Sequence, residues 1–415
     1  MRRAPRRIPD WLVGLALTAA VLVLAWMRPV FFEGLEARLY DGRLAWLGPR
    51  APVQSLAIVA IDDESIAKLD RWPWPRERLA GLVEKLSAAG ARVIGLCLIL
   101  SEAAAERALQ ALRTVEQQFR TLGPVKGGAA FLLALQRLAA SLDHDARLAE
   151  AVRRAGNVVL AGFGALGAGA PAPAPVPDFA AASLVTRLRR SASGVAARVP
   201  AATVVTWPLP ALAAAAAGLG HINRLPDADG VTRWEPLLIE RGGQDLPHFA
   251  LTVAARSLGI PHQRIQAPLG ETVHLGPMAI PTDPAMRLLV PYAGPGRTVP
   301  RYAAFDALNG RIAPAAFQGK TVLVGATAPG LGDVEATPFD PVFAGVEKHT
   351  QLVAWEELGK IPVDQEMQSL RYSLALSKDP AHRFQTGAEA AKTLSTLRER
   401  LDAALAQAGR AGRPA

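Results

Sequence analysis

Four short apolar runs punctuate the chain: LAIVAI at 56–61, RVIGLCLIL at 92–100, NVVLAG at 157–162 and KTVLVGA at 320–326. Each has strand length, none alternates between polar and apolar, and turn residues or charges bound them, the pattern of strands covered on both faces. Between the first two, Leu79, Leu82, Val83 and Leu86 recur at spacings of three and four, after Pro75 and before Gly90. That predicts an amphipathic helix with a proline start and a glycine stop. Strand, helix and strand make a right-handed βαβ unit, so the sheet is at least partly parallel.

Helical periodicity then runs from about 103 to 155, broken at Gly123, Pro124, Gly127 and Gly128. Residues 164–182 are rich in Gly, Ala and Pro and read as a surface excursion. From 219 to 300 the pattern changes. GHIN, the turn PDADG and VTRWEPLLIE predict one β-hairpin, MAIPTDPAMRLLVPY predicts another, and PHFALTVAARSLG between them predicts a helix. The expected fold class is α/β, a mixed, partly parallel sheet with flanking helices and inserted β-hairpins.

One run is longer. Residues 11–27, WLVGLALTAAVLVLAWM, carry no charge and as a helix span about 26 Å, the lower limit for a bilayer core. Arg2, Arg3, Arg6 and Arg7 precede it against Asp10 alone, which predicts a cytoplasmic N-terminus under the positive-inside bias. The run ends in Trp26, Met27, Arg28 and Pro29 rather than in small residues, so an uncleaved anchor is expected. The organisation that follows is a basic cytoplasmic segment at 1–10, one transmembrane helix at 11–27, an extracytoplasmic domain at 30–358 and a helical tail at 364–415.

Composition narrows the classes. The 415-residue chain is 50% hydrophobic and 20% charged, which excludes intrinsic disorder and leaves enough apolar material for a large core. Its net charge of +9 is scattered rather than clustered, so nucleic acid is not an expected partner. Cys97 is the single cysteine and forms no internal disulfide.

Several motifs are decoys. Gly162, Gly164 and Gly167 make a GxGxxG after a strand, but the prolines at 171, 173, 175 and 177 deny it the helix a dinucleotide needs, and a turn is the expected reading. Aligning PDADG to a calcium loop puts Leu225 at position one and Pro236 at twelve, so it reads as a β-turn. CxxC, HExxH and GxSxG are absent from the sequence, and neither metal nor cofactor is expected.

Candidate chemistry sits where the apolar runs end, since ligands of parallel sheets bind at the carboxyl edge. Asp62 and Asp63 follow the first strand. Thr327 and Asp333 lie on the Gly-rich loop after the last, and Glu347 and His349 follow in GVEKHT. Carboxylates near a histidine bind a cation or an amine, or do acid/base chemistry. The bland alternative gives Asp62 or Asp63 a helix-capping role and Asp333 its own loop amides. In WPWPR, Trp72 and Trp74 are placed to line a ligand pocket, or Arg76 to pair with Asp62; the bland alternative is an aromatic lid over the sheet edge with Arg76 bridging loops. His221 and His248 read as lone core or surface histidines.

The ordered blocks VAIDDESI, RWPWPR, AGARVIG, LDHDARLAEAVRRAGNVVL, GHINRLPDADGVTRWEPL, FQGKTVLVGATAPGLGDVEATPF and GVEKH resemble the type-two CHASE domain over about residues 30–358. The resemblance implies an extracytoplasmic sensor of a bacterial signalling protein, in the inner (cytoplasmic) membrane, joined to kinase or cyclase outputs. It supplies no catalytic residues. It also marks departures: Cys97 stands where an Asp is common, and Met286 where Gly is usual. The tail segment LALSKDPAHRFQTGAEAAKTL (374–394) resembles the last helices of a bacterial serine/threonine kinase domain, with Arg383 at the brace of the large lobe. The kinase phosphate loop, lysine, HRD and DFG elements and the membrane helices expected after GVEKHT are missing, which points to an internal deletion.

The resulting expectation is a non-catalytic, membrane-anchored sensor from a serine/threonine kinase lineage. Its candidate ligand residues are Asp62, Asp63, Arg76, Thr327, Asp333, Glu347 and His349. Its partners would be an unidentified small-molecule or environmental stimulus and the membrane through the N-terminal helix, with a homodimer allowed. The rival is an exported hydrolase or lyase using Asp62, Asp333 and His349, and a third reading is an adaptor binding through the Ala/Pro segment or RLRR.

Overall fold

The computed structural model describes residues 30–49, 54–104, 106–122, 127–167, 176–188, 198–268, 270 and 272–358, together with Gly14, Leu15 and Thr18. Most of the expected anchor at 11–27, and the whole kinase-like tail at 364–415, lie outside the described residues. Among the described residues no helix is long and apolar enough to cross a membrane.

The chain enters through α1 (Val30–Leu47) and forms β1 (Leu56–Ile61), α2 (Asp63–Leu69), α3 (Arg76–Ala88) and β2 (Val93–Ile99). Three helices follow, α4 (Glu106–Thr121), α5 (Gly128–Leu142) and α6 (His144–Ala155), before β3 (Val158–Leu166). Next come the short α7 (Asp178–Ala181), β4 (Thr186–Leu188), β5 (Ala202–Thr206), α8 (Pro210–Ala215) and β6 (Gly218–His221). The third stretch holds β7 (Trp234–Pro236), β8 (Leu238–Arg241), β9 (Gln244–Pro247), α9 (Phe249–Ser257), β10 (Ile265–Pro268), β11 (Thr272–Leu275), β12 (Met278–Pro281) and β13 (Arg287–Leu289). The last elements are β14 (Arg301–Ala303), α10 (Ala304–Leu308), β15 (Thr321–Ala326), β16 (Val334–Glu335), β17 (Phe343–Ala344) and α11 (Gly345–Leu358).

The main sheet is mixed. Strands β14, β1, β15, β2, β3 and β6 lie side by side and parallel, while β5 runs antiparallel along the second half of β3. The four apolar runs supply β1, β2, β3 and β15, and β1 is buried along its whole length. Its alternate residues divide between two cores, Leu56, Ile58 and Ala60 on one face and Ala57, Val59 and Ile61 on the other. Leu79, Leu82, Val83 and Leu86 of α3 are buried on the second face, as their spacing predicts. The first face is covered by α9 and α11, and α9 is buried nearly all round because the four-stranded sheet β12-β11-β10-β4 joins the same core.

The two predicted hairpins are corrected. Their turns form: Gly230 takes a φ of 82° and its amide donates to Asp227 O at 2.8 Å, and the Met286 amide donates to Asp283 O at 2.8 Å. The strands flanking them pair elsewhere. GHIN contributes β6 to the main sheet, β7 pairs with β13, and β12 pairs with β11. Turn chemistry is local, whereas partner choice is decided by which faces must be buried. The GxGxxG turn is corrected too, because Gly162 and Gly164 lie inside β3. A Cβ on Gly164 would come within 2.7 Å of Ile239 Cδ1, so that glycine serves close packing.

Candidate functional site

At the carboxyl edge of the sheet, α11 starts in close contact with β15. A Cβ on Gly325 would lie 2.7 Å from Val346 Cβ, and one on Gly345 would lie 2.4 Å from Asp333 Oδ1. The two glycines therefore let the helix seat against the strand and let the Asp333 carboxylate sit over its amino end, where the Gly345 amide donates to Asp333 O at 3.0 Å. One consequence is that Glu347, Lys348 and His349, all polar, begin a helix inside the molecule.

Lys348 has a side chain only 2% exposed. Its Nζ contacts Glu235 Oε1 on β7 and lies 2.9 Å from Glu335 Oε1 on β16, and both carboxylates are equally buried. Burial opposes the ammonium, but the two carboxylates outweigh it and hold the Lys348 pKa above its ordinary value. Burial, reinforced by Glu335 and opposed by Lys348, pushes the Glu235 carboxyl up to about 7. Among the described residues its Oε2 has no hydrogen-bond partner. Two carboxylates on one ammonium leave a negative charge in surplus, which a dry interior penalises unless a cation or proton joins it.

Beside the triad stands a row of histidines. The rings of His221, at the end of β6, and His248, which caps α9, are 5.1 Å apart, and His248 and His349 are 5.0 Å apart. All three are buried. Nδ1 of His221 accepts the Asn223 amide, and Nδ1 of His248 accepts the Ala250 amide. Each Nδ1 is thus unprotonated and the neutral ring carries its proton on Nε2, which has no partner in either residue. Burial, with help from Lys348, lowers the His221 pKa to about 3 and keeps His248 and His349 well below the ordinary histidine range. Cys97 borders the same region, its thiol pushed up by burial and then by Asp333.

The expected ligand residues separate. Asp62 caps α2, accepting the Ser65 amide at 2.9 Å, and Asp63 is exposed in that helix's first turn. Arg76 does not reach Asp62; it pairs with Asp145 at 3.3 Å and donates to Glu102 O, beside the α3–α6 face. The Thr327 amide donates to Ile61 O at 3.1 Å, so the loops after β1 and β15 do adjoin, and Thr327 Oγ1 is buried without a partner. Asp333 belongs to the Lys348 neighbourhood, and burial raises its pKa. Glu347 and His349, two apart on a helix, point to different sides. Glu347 accepts the Arg297 amide at 2.7 Å and pairs with Arg301 at 3.2 Å, while His349 meets His248 and Phe249. Among the described residues no hydrogen bond or ion pair joins Asp62, Asp333 and His349. Trp74 is buried and packs edge-on against Trp72 at 5.3 Å, an aromatic lid.

Residues that the sequence reading passed over complete the site. Arg233, immediately before β7, is 3% exposed and reaches Asp41 of α1 through two nitrogens, at 2.8 and 2.7 Å. It also pairs with Asp227 at 3.0 Å and Asp229 at 2.8 Å in the PDADG turn. The hydrogen bonds it donates to Asp41 are the largest cause of its raised pKa. The signal for these residues was faint: charged groups inside apolar stretches, in TRWEPLL and GVEKHT.

Chemically the site offers buried proton acceptors and ion pairs. Among the described residues no three His, Cys, Asp or Glu side chains are arranged to hold a metal ion. A family model described as CHASE2 domain matches residues 16–355. No curated protein and no solved structure matches the chain.

Proposed function

Because the chain belongs to the CHASE2 domain family, whose members are sensory domains, we propose that it is a membrane-anchored, extracytoplasmic, non-catalytic sensor whose responsive part is the cluster around Lys348. The observation that carries this reading is a pair of ties at one short strand, from Arg233 immediately before β7 and from Glu235 within it. Arg233 holds Asp41 of α1, the helix through which the chain enters the domain, and Glu235 holds Lys348 of α11, the last helix described. A change at either tie thus reaches the other through one rigid segment, which β13 also holds, the Val290 amide donating to Arg233 O at 2.8 Å.

The hydrolase or lyase reading has less support, since Asp62 is occupied as a cap and the His349 ring is buried against another histidine. The kinase-like tail is read as a remnant, because the nucleotide-binding elements that phosphoryl transfer needs are missing from the sequence.

Two measurements test the proposal. A reporter that fluoresces only in the cytoplasm, fused after residue 358, is expected to stay dark; bright cells would refute the location. In the purified full-length chain, Arg233→Gln is expected to speed amide exchange in residues 345–354 as well as in α1. Faster exchange confined to α1 would refute the coupling.

A further inference from the structure

The Lys348 cluster has an imbalance that its own residues do not repair. Glu235 on β7 and Glu335 on β16 share one ammonium, from Lys348 on α11. Opposite Glu235 in the pairing with β13 stands Leu288, which is apolar. Arg224, after β6, acts on Glu235 only from a distance and is exposed, with its guanidinium engaged by Val334 O. Asp333 adds a further acid beside Lys348. Tyr292 faces the pair, but its hydroxyl donates to Thr232 O at 2.8 Å. The histidines at 221, 248 and 349 are neutral, as burial requires. Among the described residues nothing that faces the triad supplies the missing positive charge, and Glu235 Oε2 is buried with no donor.

We propose that this triad is a proton-binding site: one proton from solvent adds to Glu235 Oε2, converts the carboxylate to a neutral acid and weakens the hold of β7 on Lys348 and α11. The proton is then the ligand of the responsive cluster, a step that rests on the sensor reading for its consequence but not for the binding itself. A proton fits better than a metal ion because the donors at hand do not make a coordination set. A carboxyl pushed up to about 7 changes its charge around neutrality. The chemistry balances without a co-reactant: a proton is taken up and released, and no bond between heavy atoms changes.

The test is a pH-difference infrared titration of the purified full-length chain, reading the carbonyl band of a buried protonated carboxyl. The expected result is a band with a midpoint near neutrality, lost in Glu235→Gln and kept in Asp333→Asn. In Glu335→Gln, where Glu235 has Lys348 to itself, the midpoint is expected to move at least one pH unit toward acid. A band that survives Glu235→Gln, a midpoint unmoved by Glu335→Gln, or displacement of the band by added potassium or magnesium at constant pH would each overturn the proposal. Should Glu235→Gln fail to fold, the Glu335→Gln shift and the cation titration decide alone. If these tests succeed while Arg233→Gln leaves exchange in α11 unchanged, the proton site stands and the relay falls. The opposite pattern leaves the relay without this ligand.

Discussion

Arg233, immediately before β7, and Glu235, within it, tie that strand to two helices: the first grips Asp41 on α1, the second Lys348 on α11. The second is a buried ion pair and the first a part-buried one, with Arg233 3% and Asp41 25% exposed; in both, removing one partner costs more than the pair itself is worth, because the other charge is left stranded.

Arg233→Gln strands Asp41, Asp227 and Asp229 together and is expected to lower stability by about 3–5 kcal/mol. Asp41→Asn leaves the guanidinium its two turn carboxylates and is expected to cost about 1–2 kcal/mol. Urea denaturation of both variants checks the order; equal losses would mean that α1 carries the whole interaction.

Acid should destabilise the protein through its histidines. Their folded pKa values lie below the ordinary 6.5, His221 at about 3, so the unfolded chain binds more protons between those limits. Their contribution is full above pH 6.5 and is lost as pH falls, at up to about 1.4 kcal/mol per pH unit for each ring. Glu235 works in reverse: raised from 4.5 to about 7, it favours the folded state below that window and loses this contribution as pH rises through about 7. Stability is expected to peak between these effects, close to pH 6.5. Urea titrations at several pH values read the slope, which His349→Gln should reduce by about one proton; a flat profile from pH 7 to 5 would contradict the assignment.

Met286 stands in the left-handed region, at a φ of 57°, and is wholly buried, with its sulfur 3.0 Å from the Gly270 amide. The backbone there costs a side-chain-bearing residue about 1–2 kcal/mol relative to glycine. Met286→Ala loses the buried side chain and keeps the strain, whereas Met286→Gly loses the side chain and relieves it. Thermal unfolding should find the glycine variant more stable than the alanine variant by about 1 kcal/mol. The reverse order would remove strain from the account.

Gly220 lies where α9 meets β6, and a Cβ there would come 2.5 Å from Phe249 Cα. The obstacle is backbone, so it cannot swing aside. Gly220→Ala is expected to cost about 1–3 kcal/mol or more, whereas Gly156→Ala, with open space around it, meets only its φ of 67°.

Most of the sheet was legible in the sequence because its strands are buried on both faces and their apolar runs are uninterrupted, as in LAIVAI and KTVLVGA. The α3 stripe and the break between α4 and α5 were legible for similarly local reasons, whereas the break at Asp143 between α5 and α6 was not, because a single capping aspartate leaves the helical periodicity uninterrupted. The pairing of β7 with β13 was not, because β13 is about fifty residues distant and the turn signals pointed to nearer partners. Asp333 and His349 lie near the Lys348 cluster, at the sheet edge where their place after the last strand puts them. Glu235, Glu335 and Lys348 were missed because each is a single charge in its own segment, and only the tertiary fold brings the three together. His221 and His248 looked solitary for the same reason.

The central claim is that α1 and α11 are coupled through β7. Asp41 and Lys348 share no ion pair or hydrogen bond with each other, so a double-mutant cycle of Asp41→Asn and Lys348→Gln isolates the coupling. Measured by urea denaturation of the full-length chain, the two losses should fail to add by at least about 1 kcal/mol, as residues in one network do. Additivity within about 0.5 kcal/mol, the behaviour of independent sites, would contradict the account.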